Sequence, residues 1–202
     1  MMLTTQAERA SALELEREQA DGCTNCDLYR EATQAVFGQG SIGAPMMLVG
    51  EQPGDKEDLA GLPFVGPAGQ LLERALRDAG IPDGATYATN AVKHFKFERS
   101  GKVRVHKKPN ASQVRACRPW LEREIELVDP RIVVLLGSTA AQAMLGPRFR
   151  VTQHRGELID WAYTPLLTTT IHPAAVLRAG DRRKDMYGGL VRDLAFARQA
   201  LT

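Results

Sequence analysis

Three cysteines in 202 residues are too few for a disulfide framework, and in a reducing compartment they act as ligands, nucleophiles or core residues. No apolar run approaches the roughly 18 residues of a membrane span. Residues 1–20 carry too many charges for a signal peptide. An intracellular protein without membrane contact is therefore expected. The glycine-rich loops match neither G-x-G-x-x-G nor a Walker lysine motif, so the common nucleotide-binding signatures are excluded. Without an internal repeat, low-complexity tract or linker, one domain over residues 1–202 is expected.

What remains is 44% hydrophobic and 25% charged, with a net charge of only +2. That balance hides a polarised stretch. Between Lys93 and Lys108 seven basic side chains (Lys93, Lys96, Arg99, Lys102, Arg104, Lys107, Lys108) accompany a single acid, Glu98. Such a run is a solvated loop or a contact for a polyanion, because phosphate contacts release counterions.

Apolar patterning alternates helix and strand. A charged helix is expected over 6–20, and Pro45 to Val49 reads as a short buried strand closed by Gly50. Residues 68–79 place Leu71, Leu72, Ala75, Leu76 and Ala79 on one helical face, with Gly80 as the stop. Thr86 to Val92 is a second strand. Ser112 is positioned to cap a helix to about Val128, which Pro119 should kink or restart. Ile132 to Gly137 is the clearest buried strand, followed by a small-residue helix over 138–145. Leu166 to Ile171 makes a fourth strand, and a last helix covers about 183–200. Four apolar strands between helices imply a three-layer α/β/α sandwich around a four-stranded, mostly parallel sheet. Ligands bind such sheets at the carboxyl ends of the strands, which is where Glu51, Asn90 and His172 fall.

Gly50-Glu51-Gln52-Pro53-Gly54-Asp55 sets a carboxylate in a glycine- and proline-shaped turn, which on chemistry alone is a tight turn or a ligand loop. Gly61 to Gly69 is a second such loop. Its Phe64 is an apolar anchor or a stacking platform for a base. By the same reasoning Asn90 is a turn former or an amide reader, and His172 a helix-start residue or a polar contact.

These two loops, together with Thr89-Asn90-Ala91-Val92-Lys93 and His172-Pro173-Ala174, stand in the order and spacing of bacterial iron–sulfur uracil-DNA glycosylases. More narrowly, the sequence resembles the UdgX-type branch, which has Gln at the position of Gln52 and a basic loop ending in His. The likeness runs from about Cys23 to Arg178. It implies that uracil flipped out of DNA stacks on Phe64, that the Asn90 amide reads its polar edge, and that backbone groups of Gln52, Gly54 and Asp55 hold its carbonyls. His172 would bond uracil O2 and stabilise the departing base, while Glu51 would stabilise an oxocarbenium-like sugar.

In the UdgX-type branch a Lys-Arg-Arg-Ile-His loop supplies a histidine that attacks the sugar C1′ and stays attached. Lys102-Val103-Arg104-Val105-His106 resembles it, with Val103 replacing an arginine and Val105 an isoleucine. The resemblance implies His106 as nucleophile, oriented by Glu51, with Lys102, Arg104, Lys107 and Arg178 at DNA phosphates. The alternative is that His106 only helps the loop bind phosphate. Ala174 replaces the usual serine, which removes one hydroxyl.

Iron–sulfur relatives use four cysteines. Here Cys23-Thr24-Asn25-Cys26 and Cys117 supply three, and His94 falls at the place of the fourth. The implied ligand set for a [4Fe–4S] cluster is Cys23, Cys26, His94 and Cys117, with zinc as the chemical competitor. His154 is expected to be structural. The partners implied are uracil-containing single-stranded DNA and free uracil as product. A monomeric, cytoplasmic, nucleoid-associated protein is expected. Two other outcomes stay open: a hydrolytic glycosylase that leaves a free abasic site, or a non-catalytic iron–sulfur DNA-binding module.

Overall fold

Met46–Gly50 and Ile132–Leu136 are buried at every position, so both must lie mid-sheet with each face covered. Alternate residues then serve two cores. Met47, Val49, Val133 and Leu135 point to one side, and Met46, Leu48, Ile132 and Val134 to the other. The structure, a computed structural model, describes residues 5–161 and 166–202. Its elements run α1 (Gln6–Asp21), β1 (Gln39–Gly40), β2 (Met46–Gly50), α2 (Asp55–Ala60), α3 (Pro67–Asp78), β3 (Thr86–Asn90), β4 (Phe97–Ser100) and β5 (Val103–His106). They continue with α4 (Ala111–Val128), β6 (Ile132–Leu136), α5 (Gly137–Leu145), α6 (Val151–His154), β7 (Leu166–Thr170), α7 (Pro173–Leu177) and α8 (Arg183–Gln199).

The expected three-layer sandwich is found. Its central sheet has the order β1-β3-β2-β6-β7. The pairs β3–β2, β2–β6 and β6–β7 are parallel, and β1 joins β3 antiparallel. Leu13 of α1, Leu121 and Ile125 of α4 and Ala140 of α5 cover one face. Leu71, Leu72 and Ala75 of α3, Val176 of α7 and Leu194 of α8 cover the other. Because the four long strands are parallel, Glu51, Asn90, Gly137 and Ile171 emerge together at one edge.

Four expectations need correction. The sheet has five strands rather than four, because β1 is only two exposed residues and leaves no apolar run to read. The basic stretch is not an open loop. Phe97 to His106 form an antiparallel hairpin, β4–β5, as a second sheet. And α4 is capped by Asn110, not Ser112. Asn110 Oδ1 accepts from Gln113 N (2.9 Å) while Gln113 Oε1 accepts from Asn110 N (2.9 Å), a reciprocal capping box. Ser112 donates its hydroxyl to the same Asn110 oxygen (2.7 Å). The helix also runs unbroken through Pro119, since Leu121, Ile125 and Val128 are packed on the sheet and tertiary contact carries it past the missing N–H.

Among the described residues no helix is long and apolar enough to cross a membrane. Residues 1–4, part of the segment read for a leader, lie outside the described residues. Asn110→Ala is expected to lower stability by about 1 kcal/mol, and Ser112→Ala by clearly less, as read from thermal unfolding.

Candidate active site

The strand ends surround a cavity of about 700 Å³. It is lined by Glu51, Gln52, Gly54, Phe64, Asn90, His106, Thr139, His172 and Arg178, among others. Eight of the residues expected at the site thus come together.

The slot at the cavity's base is formed by close approach. A Cβ on Gly50 would lie 2.3 Å from Asn90 Oδ1 and 2.8 Å from Phe64 Cζ, so only glycine lets the amide and the ring close over the backbone. Phe64 adopts φ 57°, a left-handed conformation that costs a bulky residue about 1–3 kcal/mol and persists only when its surroundings enforce it. Gly69 makes room for it, since a Cβ there would overlap the Phe64 carbonyl oxygen at 1.6 Å. The Phe64 ring faces the His172 ring, 6.5 Å between centroids and 28° from parallel. Glu57 ties the two glycine-rich loops together by accepting from Gly54 N (3.1 Å) and Gly66 N (2.8 Å). The Gly54 amide, expected at a uracil carbonyl, is therefore directed at Glu57. Sequence reading passed over Glu57, although Gly54-x-x-Glu57 has capping-box spacing.

His172 does two jobs. It caps α7, its Nδ1 accepting from Ala174 N (3.1 Å), and it faces the cavity. An Nδ1 that accepts a bond fixes the neutral tautomer with the proton on Nε2. Burial, together with the nearby Arg178 and His106, pushes its pKa down to about 4. His172 therefore presents a neutral N–H donor.

His106 Nε2 lies 3.3 Å from Glu51 Oε1, and Thr139 donates its hydroxyl to the other Glu51 oxygen. Burial lowers the His106 pKa from the usual histidine value; Glu51 opposes this and Arg178 adds to it. The result is a neutral imidazole held against a carboxylate. Thr139 was missed because it sits in the small-residue helix α5, where nothing distinguishes it from its neighbours.

The hairpin that carries His106 is anchored at two points. Gln52 donates from Nε2 to the carbonyls of Lys96 (3.1 Å) and Lys107 (3.0 Å), and its Oε1 accepts from Lys96 N (3.1 Å). Its side chain thus clasps both strands at their base. Arg104 pairs through Nε with Asp55 (2.5 Å) and through Nη1 with Asp58 (2.5 Å). Its guanidinium lies over the rings of Phe95 and Phe97. Where a phosphate contact was expected, the structure turns Arg104 inward to α2, because two carboxylates there offer it bonds that solvent would have to replace. Lys107 pairs with Glu98 (2.7 Å), and Lys102 is exposed at the hairpin turn. Lys93, counted in the same basic run, is wholly buried against Glu124. The segment is less cationic outside than its composition suggests.

Comparison with known proteins agrees with this geometry. The family model described as the uracil DNA glycosylase superfamily matches residues 37–195. The chain belongs to that superfamily. It is 34% identical to the Type-4 uracil-DNA glycosylase of Thermotoga maritima, over 84% of this chain and 85% of that one. Against the Type-4 enzyme of Pyrobaculum aerophilum the identity is 36%, over 85% and 92%, and against that of Sulfurisphaera tokodaii it is 34%, over 86% and 79%. These relatives match the broader of the two resemblances drawn from the motifs.

The cysteines lie near α4, beyond the end of β3. Cys117 is buried with Cys26, Leu28, Val92 and Trp120. Its Sγ accepts from Lys93 N (3.1 Å), and Cys23 Sγ accepts from Trp120 Nε1 (3.2 Å). Burial pushes the Cys117 thiol up to about 11, with Cys26 and Cys23 adding to the rise. Burial also raises Cys26 and lowers His94. N–H groups aimed at sulfur suit thiolates, and a buried thiolate needs a cation. Among the described residues no three His, Cys, Asp or Glu side chains group closely enough to hold one metal ion. His154 pairs with Glu157 (2.6 Å) at the end of the short helix α6.

Removing Arg104 would strand Asp58, whose side chain is fully buried. Arg104→Ala is expected to cost about 3–5 kcal/mol in thermal unfolding. Gln52→Ala should keep the fold but slow any step that needs His106, while uracil-DNA affinity stays near the parent's.

Proposed function

We propose that this protein excises uracil from DNA and finishes the reaction joined to the sugar through His106. The observation that carries the reading is the His106 imidazole, 3.3 Å from Glu51, beside a slot that offers an amide, a ring and a second imidazole. Uracil turned out of a strand stacks on Phe64, and the Asn90 amide meets its polar edge with one donor and one acceptor. As the bond from C1′ to the base breaks, the electron pair leaves with uracil. The His172 Nε2–H then stabilises the resulting charge at O2, and because His172 is already neutral no proton need move first. The Glu51 carboxylate, held by Thr139, stabilises the positive charge growing on the sugar. A ring nitrogen of His106 then donates its lone pair to C1′. The N-alkyl imidazolium that forms has no easy hydrolytic route, so turnover is slow or absent. This is the behaviour of the UdgX-type branch, here proposed for a chain whose motif has Val103 and Val105 in place of arginine and isoleucine.

The donor set also fits a [4Fe–4S] cluster held by Cys23, Cys26, His94 and Cys117. Three thiols and an imidazole suit iron or zinc by chemistry alone, and the likeness to iron–sulfur glycosylases favours the cluster. When bound it supplies no chemistry to excision. It would tie the segment after α1 to α4 and so steady the strand that ends in Asn90. A monomer acting on single-stranded uracil-DNA in the cytoplasm, at the nucleoid, completes the proposal. Lys102 and Arg178 would be its outer phosphate contacts.

Mixed with uracil-containing single-stranded DNA, the protein is expected to give a denaturation-resistant band of one protein per strand, absent with thymine-containing DNA. His106→Ala should abolish the band. Free abasic DNA over many turnovers would instead mark a hydrolytic enzyme, and equal affinity for both strands without base release a binding module. Glu51→Gln should slow adduct formation by about 10²-fold or more. A lowered pKa keeps His106 neutral at pH 7, so its lone pair is available there. The rate should fall as the imidazole takes up its proton, at a lower pH than an unperturbed histidine would set.

A further inference from the structure

Directly beneath Asn90 lies a buried ion pair that the excision chemistry does not touch. The Lys93 ammonium bonds Glu124, Thr89 Oγ1 (2.7 Å) and the Asn90 carbonyl (2.8 Å), which uses all three of its donors. Glu124 in turn accepts from Gly38 N (2.8 Å), Tyr87 Oη (2.9 Å) and Thr89 Oγ1 (2.9–3.0 Å). Both side chains are essentially out of reach of solvent. A buried ion pair is a poor way to gain stability, since apolar residues of like volume often do as well. Its worth here lies in what it holds. The peptide after Asn90 is gripped at both ends, its carbonyl by Lys93 and its N–H, that of Ala91, by the Gly50 carbonyl (2.9 Å). One residue on, Val92 N donates to the Glu51 carbonyl (3.0 Å). The Asn90 amide therefore projects from a peptide plane with almost no freedom to rotate.

We propose that Lys93 and Glu124 are a positioning pair that fixes the Asn90 amide and thereby sets the preference for uracil over cytosine. This rests on Asn90 being the reader of the base. Uracil and cytosine exchange donor for acceptor along the edge an amide reads, so tilting the amide weakens discrimination before it affects the remote bond-breaking step. Glu51, His106 and His172 keep their own supports, and the rate at saturation should survive.

Changing Lys93 alone would leave a buried carboxylate unpaired, so the informative variant is Lys93→Met with Glu124→Gln. It removes both charges together and keeps an amide oxygen for the Gly38 and Tyr87 donors. Single-turnover kinetics would be run with protein in excess over uracil-containing single-stranded DNA, with a cytosine-containing strand as competitor. The half-saturating protein concentration is expected to rise about tenfold and the preference over cytosine to fall about tenfold, with the maximal rate within about threefold. A folded double variant with unchanged half-saturation and preference, or with only its maximal rate reduced, overturns the proposal. Asn90→Ala separates the two readings. If it too leaves the preference intact, the amide is not the reader; if it abolishes a preference that the double variant keeps, the amide reads without needing the pair. Should the double variant fail to fold by circular dichroism, Thr89→Val decides. It removes the bridging hydroxyl at constant shape, and the same split of about threefold is expected; no change overturns the positioning role.

Discussion

At 3.3 Å from the Glu51 carboxylate, His106 occupies a place where an imidazole ordinarily gains a proton. Partial desolvation of the half-exposed ring and the Arg178 guanidinium pull the other way, and the net direction is downward. That contest decides what the site can do. A protonated His106 would only neutralise Glu51 and touch phosphate, whereas a neutral one has a lone pair to offer a sugar carbon. Much of the surrounding architecture bears on this contact. Parallel strands bring Glu51 and His172 to one edge, and the β4–β5 hairpin lays His106 over that edge from a different sheet.

Holding a hairpin against a sheet with which it shares no ladder requires other bonds, which Gln52 and the Asp55 and Asp58 carboxylates supply, and further buried acids brace the rest of the cavity. Asp58 receives Arg104 from the hairpin and Thr33 from the segment before β1. Glu57 joins the two glycine-rich loops. Glu124 lies beneath the end of β3. At the end of β7, Asp193 accepts from Thr170 (2.5 Å) and Arg155 (2.9 Å) just before His172. Each fixes a different wall of the cavity by accepting several bonds at once, the arrangement that makes a buried carboxylate tolerable.

These acids mark the limit of what the sequence discloses. Strands β2 and β6 were legible because burial on both faces leaves an unbroken apolar run. Phe64, Asn90 and His172 were legible only through the order and spacing of four motifs, since each alone has an ordinary structural explanation, and His172 fulfils its ordinary one as well. By contrast, Lys93 and Arg104 looked like surface charge because composition does not say which way a side chain turns. Their partners, Glu124 in α4 and Asp55 and Asp58 in α2, are distant in sequence or unremarkable within a helix. Gln52 was placed in the base pocket, yet its amide clasps the hairpin, a contact that exists only once Lys96 and Lys107 have been brought together. The two-residue β1 was too short to carry any pattern.

The mechanism stands on a bond between His106 and C1′. Mass spectrometry of the protease-digested complex with a short uracil-containing strand tests it most directly. A single modified peptide with the uracil-free nucleotide on His106 is expected, with one free uracil for each protein consumed. An unmodified His106 beside free abasic DNA would contradict it.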